Sequence, residues 1–338
     1  MMNQPSQVLP VIRGLLATPS GNEDDPWRRV ILHSVTGKGD VEFASSDDLR
    51  ARVQATKPTR FTLTGVGTYE VVHPTDGLLA GKIALVTGAA GAIGAGICRA
   101  LVEKGAHVAA CDIAAEPLRA LAAEINVLPV TMDVTDKQSV ADGFAHVTGT
   151  WGGVDIVVVN AGIAMVAPLM EMELEAFRRL EKVNVEGTLL TLAEAGRHMS
   201  RQGTGGDIIL VSTKNVFAPG AQFGAYSATK AASHQLARIA SLEFAAFDVR
   251  VNMVAPDAVF SDGQRKSGLW AEVGPSRMKA RGLDEKGLEE YYRDRNLLKA
   301  RVTAKHVANA VLFFATRQTP TTGATIPVDG GLPDATPR

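Results

Sequence analysis

Cysteine is nearly absent from this sequence. Only Cys98 and Cys111 occur among its 338 residues. One falls in a stretch that reads as helix, the other in one that reads as strand. Two such residues supply neither a disulfide framework nor zinc-ligand spacing, so they read as small buried hydrophobes, and a reducing cytoplasm suits the composition. An excess of charge is also missing. Lys plus Arg total 35 against 36 Asp plus Glu, which gives no strong pull toward nucleic acid or an anionic membrane. No apolar run approaches the length of a membrane span. The N-terminus has no basic stretch followed by an apolar run, so no secretory signal is expected. No short internal repeat or low-complexity tract is seen. Only His33 and His73 precede residue 80, too few for a clustered-histidine metal site in that region.

What is present is a globular composition, 46% apolar and 21% charged, with a change of character near residue 80. Residues 1–77 are uneven. Segments 29–33 and 41–43 read as short strands, 47–54 as a short helix with Ser45 or Ser46 as N-cap, and 73–77 as a turn-rich junction. From residue 82 the pattern turns regular. Apolar runs at 83–86, 107–111, 127–130, 156–159, 208–211, 249–254 and 325–328 alternate with Ala- and Leu-rich segments long enough for crossover helices. That alternation predicts an α/β fold, a Rossmann-like doubly wound parallel sheet of seven strands with a small N-terminal α+β extension. The domain division is 1–77 and 78–338, and ligands belong at the carboxyl ends of the strands.

The first of these strands runs into Thr87-Gly88-Ala89-Ala90-Gly91-Ala92-Ile93-Gly94, and a helix follows. Glycines permit a tight turn and close backbone approach to a pyrophosphate, and a helix N-terminus offers free N–H groups. Asp112 ends the second strand, about twenty residues on, where a carboxylate can accept bonds from ribose hydroxyls and repel a 2′-phosphate. Its other reading is a helix N-cap. With no Arg or Lys in the turn or just after Asp112, NAD is favoured over NADP. Asp133-Val134 follows the third strand, either beside an adenine or as a plain loop. Asn160-Ala161-Gly162 follows the fourth, either as a close backbone approach to a ligand or as a simple turn.

Tyr226 and Lys230 are spaced i and i+4 in a segment of good helix formers, so they share a helical face. An ammonium beside a phenol should lower the phenol's pKa, and a tuned phenol can exchange a proton with an alcohol while a nicotinamide exchanges the hydride. Thr213 lies just past the fifth strand and can hydrogen-bond the reacting oxygen, with Ser212 as the alternative. A Tyr and a Lys at this spacing are otherwise an ordinary surface face; the upstream glycine turn is what gives the pair chemical meaning.

These pieces, with VNVEG at 183–187, RVN at 250–252, Pro256 and VDGG at 328–331, resemble a short-chain dehydrogenase/reductase of the non-extended type, in order and spacing over about 250 residues. The resemblance implies Tyr226 as acid/base, Lys230 as the residue that lowers its pKa and holds the nicotinamide ribose, Asn184 as a helix-bending residue in a proton relay, and Thr213 in the place usually held by Ser. It implies a cofactor set of Gly88, Ala92, Ile93, Gly94, Asp112, Asp133, Val134, Asn160, Ala161, Gly162, Tyr226, Lys230, Pro256, Val259 and Ser261, and a homo-oligomer, tetramer or dimer. Asp257 departs from the Gly that often follows Pro256. Residues 212–220, 256–260, 268–270 and 295–298 are similar to the dehydrogenase half of bifunctional class II aldolase/short-chain dehydrogenases of deoxysugar catabolism. Residues 27–73 then resemble a remnant of the aldolase region, without aldolase activity. Residues 257–302 are either a substrate lid or a solvated helical hairpin. Lys214, Asn215 and Trp270 are candidate contacts for a small polar, sugar-derived substrate; loop hydrogen bonding is the other role for the first two. The alternatives are a non-catalytic nucleotide-binding regulator, or an epimerase or dehydratase with tightly held NAD.

Overall fold

The computed structural model describes residues 5–44, 48–261 and 268–333. The seven apolar runs form one sheet, whose strands are numbered β1 (Ile83–Thr87), β2 (His107–Asp112), β3 (Leu128–Thr131), β4 (Ile156–Val159), β5 (Gly206–Val211), β6 (Val249–Pro256) and β7 (Thr325–Val328). Every pairing is parallel, in the order β7-β6-β5-β4-β1-β2-β3. Alternation along β1 shows why both faces must be covered. Ala84 and Val86 pack with helices Ala92–Glu103 and Ala304–Ala315, whereas Ile83 and Leu85 pack with Lys137–Trp151, Gly187–Gln202 and Gly224–Glu243. Successive strand residues point to opposite faces, so a doubly covered strand is apolar throughout. Cys98 and Cys111 are buried in these two cores and form no disulfide. The chain winds in opposite senses from β1 and β4, which lie side by side. A crevice therefore opens at their carboxyl ends.

The N-terminal unit has its own core. A four-stranded sheet runs Ile31–Val35, Gly67–Val72, Arg60–Leu63, Val41–Phe43. Leu9, Ile12, Leu32, Phe43 and Phe61 are fully buried against it. Ile31 points the other way, into the core of the large sheet. Three expectations are corrected here. The predicted strand 29–33 starts its pairing at Ile31, because Arg29 turns its guanidinium to the Asp25 carboxylate and the Thr204 carbonyl. The short helix is Leu49–Thr56, capped by Asp48, whose carboxylate accepts the Ala51 N–H; Ser45 and Ser46 lie outside the described residues. Helix Pro5–Leu16, which packs on Lys137–Trp151 and Gly187–Gln202, was not anticipated.

Beneath the sheet, at the strands' amino ends, buried charges join the two units. Arg13 donates to both carboxylate oxygens of Asp155, at 2.9 and 2.7 Å, and Arg29 Nε lies 3.1 Å from the same group. The two guanidiniums hold Asp155 down at about 2 although its burial opposes this.

Candidate active site

The crevice begins where β1 ends. Gly88 takes a left-handed φ of +64°, and a side chain there would put its Cβ 2.8 Å from the Ala161 Cα. At Gly94 an added Cβ would lie 2.3 Å from the Gly88 carbonyl oxygen. Backbone crowds both positions, so glycine is required at each. Gly91 caps the following helix without a side-chain acceptor, which leaves first-turn N–H groups for an anion. Thr87 binds the two central strand ends together. Its hydroxyl accepts the N–H groups of Asn160 (2.9 Å) and Ala161 (3.0 Å), while the Asn160 amide donates to the carbonyls of Thr87 and Gly88. Sequence reasoning gave Thr87 no role, since a Thr closing a strand carries no pattern of its own.

Asp112 stands beside this turn. One carboxylate oxygen accepts the Ala90 N–H and the other the Ala114 N–H, each at 2.9 Å, so it shapes the glycine turn and its own loop together. The helix that follows is Ala115–Glu124, with Ala114 at its N-cap position. Gly88, Asp112, Ala161 and Gly162 line both a first cleft behind the glycine turn and a second cleft beside it, which are thereby continuous. Ala92, Ile93, Gly94, Asn160, Pro256 and Val259 line the first, and Asp133 and Val134 the second. The Asp133 carboxylate also accepts the N–H and hydroxyl of Thr135, a local loop role. Ser261 lines neither cleft. The second cleft also holds Arg178, Arg179 and Lys182. They are brought in by a distant helix, which is why adjacency to Asp112 could not reveal them.

Helix Gly224–Glu243 places Tyr226 and Lys230 one turn apart, both buried and both lining the first cleft. The Lys230 ammonium donates to the Val211 carbonyl at 2.8 Å. The expected lowering of the phenol is not what this environment produces. Burial pushes Tyr226 up to about 12, against a hydrogen bond with the Thr213 hydroxyl, and pushes Lys230 down to about 8. Each group loses more by leaving water than it gains from its neighbour. Strand-end alternation separates the two hydroxyl candidates. Thr213 meets Tyr226, whereas the Ser212 hydroxyl pairs with His234 Nδ1 at 2.9 Å.

Asn184 sits in a π-helical turn, Lys182–Glu186. Its side chain clamps Ile163, accepting the N–H at 3.0 Å and donating to the carbonyl at 2.9 Å, and it also donates to Thr229. The Asn184 carbonyl accepts the Thr188 hydroxyl. A Cβ on Gly162 would lie 3.2 Å from Asn184 Oδ1 and 3.8 Å from Lys230 Nζ.

A third cleft, about 260 Å³, shares Thr213, Tyr226, Asp257 and Val259 with the first. Lys214, Asn215 and Trp270 line it. Helices Gly268–Arg281 and Glu285–Asp294 supply much of its wall. They pack on a small core of Phe260, Leu288 and Tyr292, against which Trp270 lies. Helices Gly268–Arg281 and Glu285–Asp294 thus form one wall of this cleft. Asp257 has a partner here: Arg295 Nη2 donates to both its oxygens, at 2.5 and 2.6 Å, tying the strand-end loop to the lid.

The sequence profile of the short chain dehydrogenase family matches residues 82–272. The chain belongs to the short-chain dehydrogenases. It is 37% identical over 273 residues to the uncharacterized oxidoreductase YuxG of Bacillus subtilis, an alignment that covers 78% of this chain but only 39% of that protein. It is 38% identical over 206 residues to a sorbitol dehydrogenase of Cereibacter sphaeroides, covering 60% of this chain and 80% of the relative. Among solved structures, a short-chain type dehydrogenase/reductase from Mycobacterium marinum superposes with a TM-score of 0.67 at 31% identity, over 75% of this chain and 96% of that one. This dehydrogenase is therefore an NAD(P)-family oxidoreductase acting on CH–OH groups. No helix among its described residues is long and apolar enough to cross a membrane.

Proposed function

We propose that this dehydrogenase oxidises a small, polar, sugar-derived alcohol with NAD, or reduces the matching carbonyl, using Tyr226 as the acid/base. The observation that carries the reading is the shared wall. Tyr226 and Thr213 line both the cleft behind the glycine turn and the smaller cleft under the lid. A substrate oxygen at that junction meets two hydroxyls. Thr213 holds it, and Tyr226 exchanges its proton with it. The nicotinamide, when bound, accepts or returns the hydride at the adjacent carbon. Lys230 reaches from one turn along the helix toward the ribose position, and its charge supports the phenolate during oxidation. Asn184 keeps the Ile163 loop and the floor at Gly162 in place. With Tyr226 raised to about 12 by burial, the resting phenol is protonated at neutral pH. It is then ready to donate in the reducing direction, and oxidation is favoured by alkaline conditions.

NAD is chosen over NADP by the Asp112 carboxylate, which would face a 2′-phosphate. Arg178, Arg179 and Lys182 oppose that choice from the far wall. Gly88, Ala92, Ile93, Gly94, Asp133, Val134, Asn160, Ala161, Gly162, Pro256 and Val259 complete the cofactor cradle, and the protein works in the cytoplasm as a homo-oligomer. Helices Gly187–Gln202 and Gly224–Glu243 would form its interface, where Leu189, Ile239 and Leu242 are exposed. Residues 1–77 serve as a structural unit without aldolase chemistry. The test is a screen of polyols, sugars, sugar acids and short hydroxyaldehydes with each nicotinamide, followed by Tyr226→Phe on the best substrate. Net reduction of added NAD, lost in the variant, supports the reading and separates it from an epimerase that recycles its nicotinamide. Full activity of Tyr226→Phe contradicts it.

A further inference from the structure

The cleft under the lid is strongly unbalanced in charge. Among the described residues Lys214, Arg277, Arg281 and Arg295 line it, against the single carboxylate of Asp257. Arg295 is already committed to that carboxylate through both oxygens. No ion pair to a carboxylate is formed by Lys214, Arg277 or Arg281 among the described residues. The Lys214 ammonium donates to the Ala218 carbonyl at 3.0 Å and is half-buried. Burial, Arg295 and Arg277 push it below its usual range, and Asp257 offsets this only in part. Arg277 is 8% exposed. Its guanidinium lies 4.3 Å from the Phe223 ring centroid and donates from Nη2 to the Ala221 carbonyl, while Nε is buried with no partner. Asn215, 6% exposed, has a buried side-chain oxygen without a partner in the same wall. Arg281 lies at the exposed rim, over the Tyr291 ring.

Buried donors and charges left unpaired are costly, and proteins keep them where a ligand completes them. We infer that the substrate carries an anionic group, a carboxylate or a phosphate, which Lys214 and Arg277 bind with Arg281 at the entrance, while its hydroxyl reaches Thr213 and Tyr226. Arg277 presents a planar set of donors suited to either oxyanion, and Lys214 adds a point charge. The unpartnered Asn215 oxygen accepts only from a donor, so it fits a hydroxyl on the same molecule rather than the anion. A cleft of about 260 Å³ holds a small metabolite and not a polymer or an acyl chain. The substrate is therefore a short hydroxylated anion. This rests on the dehydrogenase reading above and narrows its substrate class.

The test compares one carbon skeleton in three charge states: D-threitol, D-threonate and D-threitol 4-phosphate. Binding to the NADH-loaded protein is measured by calorimetry, and kcat/KM with NAD is measured alongside. An anionic member should bind at least about tenfold tighter than the polyol, as a charge-assisted contact predicts. The preference should shrink toward one in Lys214→Met and, separately, in the rim variant Arg281→Gln. Preference for threonate identifies a carboxylate and preference for the phosphate ester identifies a phosphate. The inference is overturned if the polyol binds as well as both anions, or if the preference survives in both variants. Binding reads this out without turnover. If an anion binds as predicted and no alcohol is oxidised, the anion site stands and the dehydrogenase reading fails.

Discussion

At the residue scale, the site turns on which hydroxyl faces which group. Ser212 and Thr213 are adjacent, and sequence alone left both as candidates for the reacting oxygen. The Ser212 hydroxyl is taken by His234, whereas Thr213 lines both clefts together with Tyr226, so Thr213 is the better placed of the two. Thr213→Ala should therefore lower kcat/KM by about ten- to a hundredfold, the worth of a hydrogen bond in a desolvated site. Ser212→Ala should cost about 1 kcal/mol of stability and leave kcat within about threefold. Steady-state kinetics on both variants check this, and equal losses would sink the assignment. Asp112 offers a second check. Replacing it by Ser removes the charge that would meet a 2′-phosphate while keeping a local acceptor. The NADP/NAD ratio of kcat/KM should rise at least about tenfold. No change in that ratio would mean that cofactor choice is made elsewhere, for which Arg178, Arg179 and Lys182 are the named candidates.

At the scale of elements, the large sheet was legible because each strand is an apolar run that helices cover on both faces. The runs at 156–159 and 325–328 became strands with those same limits. The glycine turn was legible because two close backbone approaches leave no choice of residue. What was hidden depended on packing between distant segments. Helix Pro5–Leu16 contains Pro10 and Gly14, both poor helix residues. It exists because Val8, Leu9 and Ile12 are buried, and because a Cβ at Gly14 would collide with the Gln202 carbonyl. Strands Arg60–Leu63 and Gly67–Val72 were missed beside the more obvious runs at 29–33 and 41–43. The direction of the Tyr226 shift was also missed, since spacing announces a neighbouring ammonium but not the depth of burial. The glycine turn yields a prediction at this scale. Gly94→Ala drives a Cβ against backbone that cannot move aside cheaply, so it should cost about 1–3 kcal/mol and weaken NADH binding. Thermal melting and a fluorescence titration read the two effects. Unchanged NADH affinity would detach the helix start from the pyrophosphate site.

At the scale of the whole molecule, the N-terminal unit and the dehydrogenase fold are held together beneath the sheet, on the side away from the chemistry. Arg13 and Arg29 converge on Asp155, which is buried and held at about 2. An unfolded Asp titrates near about 3.9. Between these values the unfolded chain binds more protons, so the contribution is complete above the unfolded value and is lost as pH falls through the folded one. It amounts to roughly 2 kcal/mol. Asp155→Asn leaves the buried Arg13 guanidinium without its carboxylate, while Arg29 keeps Asp25, and should destabilise by about 3–5 kcal/mol, with a flatter acid dependence between pH 4 and 2 in urea melts. An acid profile identical to the native one would remove Asp155 from the joint. In the proposed mechanism the two ends of the sheet divide the work, with cohesion at the amino ends and proton and hydride transfer at the carboxyl ends. That division depends most on Tyr226, and the pH profile of alcohol oxidation tests it directly. For the native protein, kcat/KM should rise with pH below about 8, where Lys230 keeps its charge and the phenolate fraction of Tyr226 grows, and flatten above it as Lys230 turns neutral. In Tyr226→Phe that limb and about a hundredfold or more of the rate should vanish while NADH still binds. The same rising limb and rate in Tyr226→Phe would contradict the account.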